Sequence, residues 1–412
     1  MTDEQLEPIH RHATRAQGEA LMRGFVPRMG RRYAERRGFD AGPGAHDDVS
    51  TLSPYLRRRL LLEPELVAAA LAAHGPEQAA KFVQEVVWRG YFKGWLERRP
   101  VIWDSYRDGL ARDLDAMARD DRLRDAVERA ETGRTGRDGF DAWARELVET
   151  GYLHNHARMW FASIWIFALE LPWRIGADFF YRHLLDGDPA SNTLSWRWVA
   201  GLHTRGKPYE AQAWNIAKYT GGRVAPREAD LAAGVEGLEA EEPDGLPPVT
   251  PLRAVEAPRP GLPTALLITE EDCRVEDFAP EALDIRAVAT LAASHQRSPR
   301  PVAGHVAGFE AAALADAAGR IGRGAEEMQA DAPGDLARWA ERVGASQIAT
   351  PYVPTGPLRD WLQAAGPELA ARGIALREWR RDWDAAIWPH ATAGYFKVKS
   401  RIPEILDRAG LS

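Results

Sequence analysis

At 412 residues, 45% of them hydrophobic, the chain is long enough for two domains with sizeable cores. Its single cysteine, Cys273, excludes an internal disulfide framework and any multi-cysteine metal or iron–sulfur site. The net charge of −7 is uneven: residues 1–223 carry 33 Lys and Arg against 31 Asp and Glu, and the remainder 20 against 29.

The opening "MTDEQLEPIHRHATR" has no apolar core region, so no secretory signal is expected. With one cysteine, that fits a reducing cytoplasm. Two arginine clusters follow, "MGRRYAERRG" and "YLRRRLLL". Each is either a polyanion-binding patch or a solvated helix face. From "ELVAAALAAH" to "WLERRP", apolar residues recur at three- and four-residue spacing, which predicts a helix ending at a proline. "GFDAWARELVETGYLHNHARMWFASIWIFALEL" predicts two helices with a break near Gly151. Its most apolar part is interrupted by Glu170 and Pro172 and is too short for a bilayer, which needs roughly 20 apolar residues. It predicts a helix in a protein core, and no membrane partner is expected. No alternating strand pattern precedes residue 223, and ten of the 15 tryptophans lie there. The first part therefore reads as an all-α domain with an aromatic interior.

Residues 236–263 are rich in Pro, Glu and Gly without apolar periodicity, the composition of a linker. Beyond them, "TALLITEED", "ASQIATPYVP" and "IALREW" read as strands. "EAAALADAAGRIG", "DLARWAERVG" and "PLRDWLQAAGPELAARG" read as helices. That alternation predicts a small parallel α/β sheet. Neither a dinucleotide G-x-G-x-x-G nor a P-loop sits at a strand–helix turn. The expected division is 1–235, all-helical; 236–263, linker; 264–412, α/β and Rossmann-like.

"DGDPASNTLSWRW", residues 186–198, concentrates two acids, an amide and two tryptophans. Asp186 and Asp188 read as metal ligands, a catalytic carboxylate pair or a helix cap. A calcium loop requires a glutamate where Arg197 stands, and "HNH" at 154–156 lacks a third zinc ligand at a sensible spacing. No metal is expected. For Trp196 and Trp198 the plain alternative is core packing.

Four motifs in fixed order carry a more specific reading: "STLSPYLRRRL", "EVVWRGYF", "TGYLHNHARM" and "PWRIGADFFYRHLLDGDPASNTLSWRW". Together they resemble the flavin-binding domain of the photolyase/cryptochrome family over about residues 20–223. The resemblance implies bound FAD, with Tyr33, Ser50, Thr51, Leu52, Ser53, Arg89, Arg158, Asp186, Asp188 and Asn192 around it. Asn192 matches the asparagine facing flavin N5, Arg158 and Asp186 the ion pair beside the ring, and Ser50 and Ser53 the pyrophosphate contacts. Val49 stands where the family has a threonine. Trp196 and Trp173 match the inner two tryptophans of the family's electron-transfer chain. The third has no counterpart in "LDAMARDDRLRDAVERAETG".

The cavity that takes a pyrimidine dimer in repair members maps onto Glu85, Trp88, Asn155, Met159 and Trp198. A histidine marks the (6-4)-type enzymes where Met159 stands, and His156 replaces a commonly basic residue. These matches imply light-driven repair of cyclobutane dimers in damaged DNA. A blue-light photoreceptor, or a flavoprotein of this fold with a non-DNA substrate, are the competing readings. The final stretch, "GIALREWRRDWDAAIWPHATAGYFKVKSRIPEIL", resembles the end of the family's α/β domain, which normally comes first. A circular permutation is therefore expected. The antenna pigment is unknown.

Overall fold

A computed structural model describes residues 12–411. Most of the stretch read for a secretory signal, residues 1–11, lies outside them. Among the described residues no helix is long and apolar enough to cross a membrane. The chain forms two compact units. One holds residues 28–51 and 99–249; the other holds 12–27, 52–98 and 250–412.

The first unit is helical: Arg31–Arg36, Val101–Arg119, Asp121–Glu131, Asp138–Thr150, Asn155–Ser163, Trp173–His183, Pro189–Val199 and Ala213–Tyr219. The expected break falls at Gly151, whose φ of 69° ends Asp138–Thr150 in a left-handed cap. The next helix starts where His154 Nδ1 accepts from the His156 N–H at 3.2 Å and runs into a π-turn over Ile164–Ala168.

The apolar run is buried, as its sequence predicts. Phe161 stacks on Phe140 with centroids 4.1 Å apart, and Trp165 lies parallel to Phe179 at 6.3 Å. Gly176 is required by packing: a Cβ there would collide with the Trp196 ring. Its absence lets Trp196 lie against the Trp173–His183 helix. Of the arginine cluster at 31–37, Arg31 pairs with Glu35, and Arg32 and Arg36 both pair with Asp48. These three side chains are exposed, so the solvated-face reading describes them.

The second unit contains a five-stranded parallel sheet: β1 (Pro263–Thr269), β2 (Asp284–Ala292), β3 (Ala325–Gln329), β4 (Gln347–Pro351) and β5 (Ala375–Trp379). The order is β3-β2-β1-β4-β5. β4 is buried throughout and β1 from Thr264 onward, as central parallel strands must be. Helices Gly304–Ile321, Gly334–Arg342 and Pro357–Ala371 make the crossovers. β2 and β3 were not expected from the sequence. β2 begins with a charged alternation, and β3, "AEEMQ", is an edge strand with Glu326 and Glu327 exposed.

The same unit contains the 35-residue helix Glu63–Glu97, broken at Gly75, where φ is 71° just before Pro76. It also contains Arg57, Arg58 and Arg59, only 1%, 0% and 4% exposed. This corrects both readings of "YLRRRLLL": the arginines are neither a polyanion patch nor a solvated face. Arg57 makes a bidentate pair with Glu271 at 2.6 and 2.9 Å. Arg58 faces Glu270 at 3.4 Å, and Arg59 reaches Asp272 and Asp384. Glu270, Glu271 and Asp272 follow β1 in "TEED", Asp384 lies in the short helix Asp382–Ile387, and Arg297 and Arg381 complete the cluster. Burial alone would raise the Glu270 carboxyl, but Arg297, Arg57 and Arg58 outweigh it and hold it below the usual range. Burial pushes the Arg58 guanidinium down to about 10, against the pull of Glu270 and Glu310.

Residues 236–263 include one short turn of 3-10 helix, Glu239–Glu241, and otherwise lack regular structure until β1 begins at Pro263. In the first unit, Glu242 pairs bidentately with the buried Arg197, and the Leu238 N–H donates to the Ala200 carbonyl at 2.9 Å. In the second, Arg253 pairs with Glu378.

Candidate functional site

The 186–198 stretch forms the helix Pro189–Val199 and the turn before it. Asp188 is its N-cap, accepting from the Ser191 N–H at 2.9 Å; Pro189 at the first position suits that role. The cap reading holds for Asp188, while Asp186 forms the ion pair with Arg158 that the family resemblance implies. Asp186 is buried and accepts from Arg158 Nη2 at 3.0 Å. Arg158 stays one-quarter exposed and also donates to the Leu153 carbonyl at 3.0 Å. One turn after Asp188, Asn192 is buried, and its amide Nδ2 donates to the Ala177 carbonyl at 2.8 Å. That bond fixes the amide plane and directs Oδ1 away from Ala177.

Trp196 and Trp173 are buried, and neither indole N–H has a hydrogen-bond partner among the described residues. Trp196 touches Phe180, centroids 5.1 Å apart, and Trp165 at 6.3 Å. Trp173 lies 6.0 Å from Tyr106, which lies 5.4 Å from Trp103. The sequence reading missed these two aromatics. It sought a third tryptophan in residues 114–133, whereas Trp103 and Tyr106 occupy the start of the same Val101–Arg119 helix, three apart and thus on one face.

The other predicted residues of this unit are less enclosed. Asn155 is exposed, its Nδ2 3.9 Å from Met159 Sδ, and Trp198 stacks on Tyr209 at 5.3 Å. Tyr33, Val49 and Ser50 are half-buried. Thr51 has a φ of 50°, a left-handed conformation that is strained for a β-branched residue, and its hydroxyl donates to the Ser50 carbonyl at 2.8 Å. His154 Nε2 lies 3.0 Å from the Arg37 carbonyl oxygen, to which it donates. Burial first, then His156 and His46, hold it down at about 4 against the opposing pull of Asp40. Among the described residues no group of three His, Cys, Asp or Glu could hold a metal ion.

The second unit carries Leu52, Ser53, Glu85, Trp88 and Arg89. Leu52, fully buried, occupies the N-cap position of the helix Ser53–Arg57, and Arg89 Nη2 donates to the Ser53 carbonyl at 3.4 Å. Glu85 pairs with Lys81, one turn earlier, at 2.6 Å. Trp88 is 37% exposed, whereas its neighbours Val87 and Tyr91 on the same helix are buried. One of its faces is covered by Tyr395, with centroids 3.8 Å apart, and Tyr395 is itself anchored by its hydroxyl to the Gln84 carbonyl at 2.6 Å. No sequence signal pointed to Tyr395, because it lies 307 positions from Trp88.

The donor set fits a flavin: an Asp–Arg pair, an oriented primary amide and buried aromatics suit a flat ring with N–H, carbonyl and apolar edges. Residues 82–220 match the family described as the FAD binding domain of DNA photolyase. A deoxyribodipyrimidine photo-lyase of Streptomyces griseus is 36% identical over 168 residues, 40% of this chain and 34% of that protein. One from Thermus thermophilus is 36% identical over 197 residues, 46% of this chain and 43% of that protein. The chain thus spans well under half the length of these curated relatives. A bacterial class III photolyase from Agrobacterium tumefaciens is similar in structure over 50% of this chain and 43% of that one, with a TM-score of 0.42 and 28% identity.

Proposed function

Residues 82–220 belong to the photolyase/cryptochrome family and form its FAD-binding domain, and from that premise we propose that the protein is a light-driven repair enzyme for cyclobutane pyrimidine dimers in DNA. The observation that carries the proposal is Trp88. Its ring stays 37% exposed one turn from the carboxylate of Glu85, on a helix that buries nearly all its other large apolar side chains. A base extruded from a duplex needs such a flat apolar wall with an acceptor beside it.

Bound in its reduced form, FAD would supply light-driven one-electron chemistry: the electron lent to the dimer would come back once both cyclobutane C–C bonds had opened, with no net redox change. The chain's own residues do the rest. Arg158, Asp186 and Asn192 orient the ring edge through charge and amide contacts. Glu85 holds a hydrogen bond or proton at the pyrimidine edge, where negative charge develops. Trp88 and Trp198 each offer an aromatic wall, Asn155 an amide and Met159 an apolar contact; Met159 in place of histidine favours the cyclobutane lesion. Ser50 and Ser53 take the pyrophosphate. The proposed flavin portion extends over 1–235, the α/β portion over 264–412, and the order of the two reflects a permutation. The proposed compartment is the cytoplasm.

A photoreceptor reading is favoured by one observation, the continuous aromatic series Trp173, Tyr106 and Trp103. Such a series, buried at both ends, suits electron relay, which signalling needs more than repair does. The deciding experiment illuminates the reduced, flavin-loaded protein with an oligonucleotide containing one thymine dimer. Loss of the dimer in blue light and none in darkness is expected. No dimer loss from fully loaded protein would overturn repair and leave the photoreceptor reading.

A further inference from the structure

Beyond Asp384 the chain changes character. Residues 385–403 contain no acid and carry Lys397, Lys399 and Arg401, although the chain from residue 224 onward has 29 acids against 20 bases. Lysine is scarce in this protein, six in all, and two of them are here. The short helix Phe396–Lys399 presents Phe396 at 81% exposure, the most exposed large apolar side chain among the described residues. The preceding residue faces inward: Tyr395 is buried and stacked on Trp88. Lys397, Lys399 and Arg401 are all exposed. Lys397 Nζ donates to a hydroxyl, Thr392 Oγ1, at 2.7 Å, and Lys399 Nζ hangs over the Phe396 ring at 5.8 Å.

An isolated exposed phenylalanine needs no explanation. One with Lys399 over its ring and Lys397 and Arg401 close by in the chain, Arg401 sharing its charge with Glu404 at 3.2 Å, on a segment clamped to the tryptophan that would face an extruded base, has the composition of a nucleic-acid platform: cations for phosphates and an aromatic for a base. We propose that residues 395–401 form a DNA-docking element. Its occupant is the lesion-bearing duplex. Phe396 stacks on a base beside the extruded dimer, Lys397, Lys399 and Arg401 contact backbone phosphates, and Tyr395 ties the element to Trp88. The element rests on the repair reading for the identity of its ligand, but not for its chemistry, since a polyanion with exposed bases is what its side chains fit.

The test measures fluorescence anisotropy of the full-length, FAD-loaded protein with a labelled duplex containing one thymine dimer and with the same duplex undamaged, across salt concentrations. Lys397→Ala/Lys399→Ala should weaken both duplexes by about the same factor. It should also reduce the slope of log affinity against log salt by about 2, roughly 0.9 for each phosphate that no longer meets a lysine. Phe396→Ala should weaken the dimer duplex about tenfold and the undamaged duplex much less, within the range expected for losing one base stack. Its high exposure means folding should be spared, which circular dichroism and FAD content would verify. If the wild type discriminates the dimer duplex and both variants match it, this element is not the docking site and the repair reading stands. If the wild type binds neither duplex, the repair reading fails and the element falls with it.

Discussion

Trp88 packs against Tyr395 and touches Tyr91 and Phe92 with ring centroids 6.1 Å away, yet stays 37% exposed. Trp88→Ala should therefore weaken dimer binding by about 1–3 kcal/mol, the cost of one base–aromatic stack. Glu85→Ala should chiefly lower the splitting yield per photon. FAD content should be nearly unchanged in both, and loss of flavin from both would mark these residues as structural. Asn192 is more sensitive than its neighbours, because its amide nitrogen donates to Ala177. Asn192→Asp replaces that donor with an acceptor facing a carbonyl, and a buried unsatisfied acceptor costs about 1–3 kcal/mol. We predict a lower thermal midpoint together with an altered absorption spectrum during photoreduction; a mutant matching wild type in both places Asn192 away from the flavin. Trp196→Phe should severely slow photoreduction with little loss of stability, because its indole N–H has no partner to lose among the described residues. Tyr106→Phe isolates the outer step: if photoreduction proceeds at the wild-type rate there, the route leaves Trp173 by another neighbour.

At the scale of elements, the ion cluster after β1 is the feature most exposed to single changes. Glu270→Gln leaves Arg58 and Arg297 buried without their carboxylate, and breaking a buried pair this way costs about 3–5 kcal/mol. Urea unfolding should show it, and an unchanged midpoint would mean that water or another acid takes over. Acid weakens the fold through two sets of groups. Glu270 and Asp272 sit below their ordinary values, so their contribution is complete above about pH 4.5 and is lost as pH falls through the depressed range. His154 and His203 are held down mainly by burial, to about 4 and about 3. Unfolding lets each bind a proton below about 6.5, so their contribution declines from there downward. The thermal midpoint should be level above pH 7 and fall by several degrees towards pH 4; a level profile down to pH 4 would contradict this. The cluster also marks where the sequence was hard to read. Helices with regular apolar spacing and the apolar strands β1, β4 and β5 are legible because local periodicity encodes them. β2 and β3 are not, since charged residues interrupt them. Arg57–Arg59 look like a surface patch because their partners, from Glu270 to Asp272, lie more than 200 residues away. The flavin motifs were legible as types and order, whereas Tyr106, Trp103 and Tyr395 acquire meaning only from packing.

For the whole molecule, the first expectation is colour. The purified chain should be yellow with noncovalent FAD, released intact on denaturation; colourless protein that takes up no FAD on titration would defeat the flavin assignment. The second unit brings residues 52–98 together with 250–412, and the ion cluster after β1 joins them. On the ribosome this imposes a delay. At about 5–20 residues per second, the 214 residues between Arg57 and Glu271 take roughly 10–40 s to synthesise. Throughout that interval the three arginines, and the apolar face of the Glu63–Glu97 helix, are made but have nothing to pair with. Residues 52–98 of the second unit therefore cannot reach their native burial until residues 250–412 have emerged.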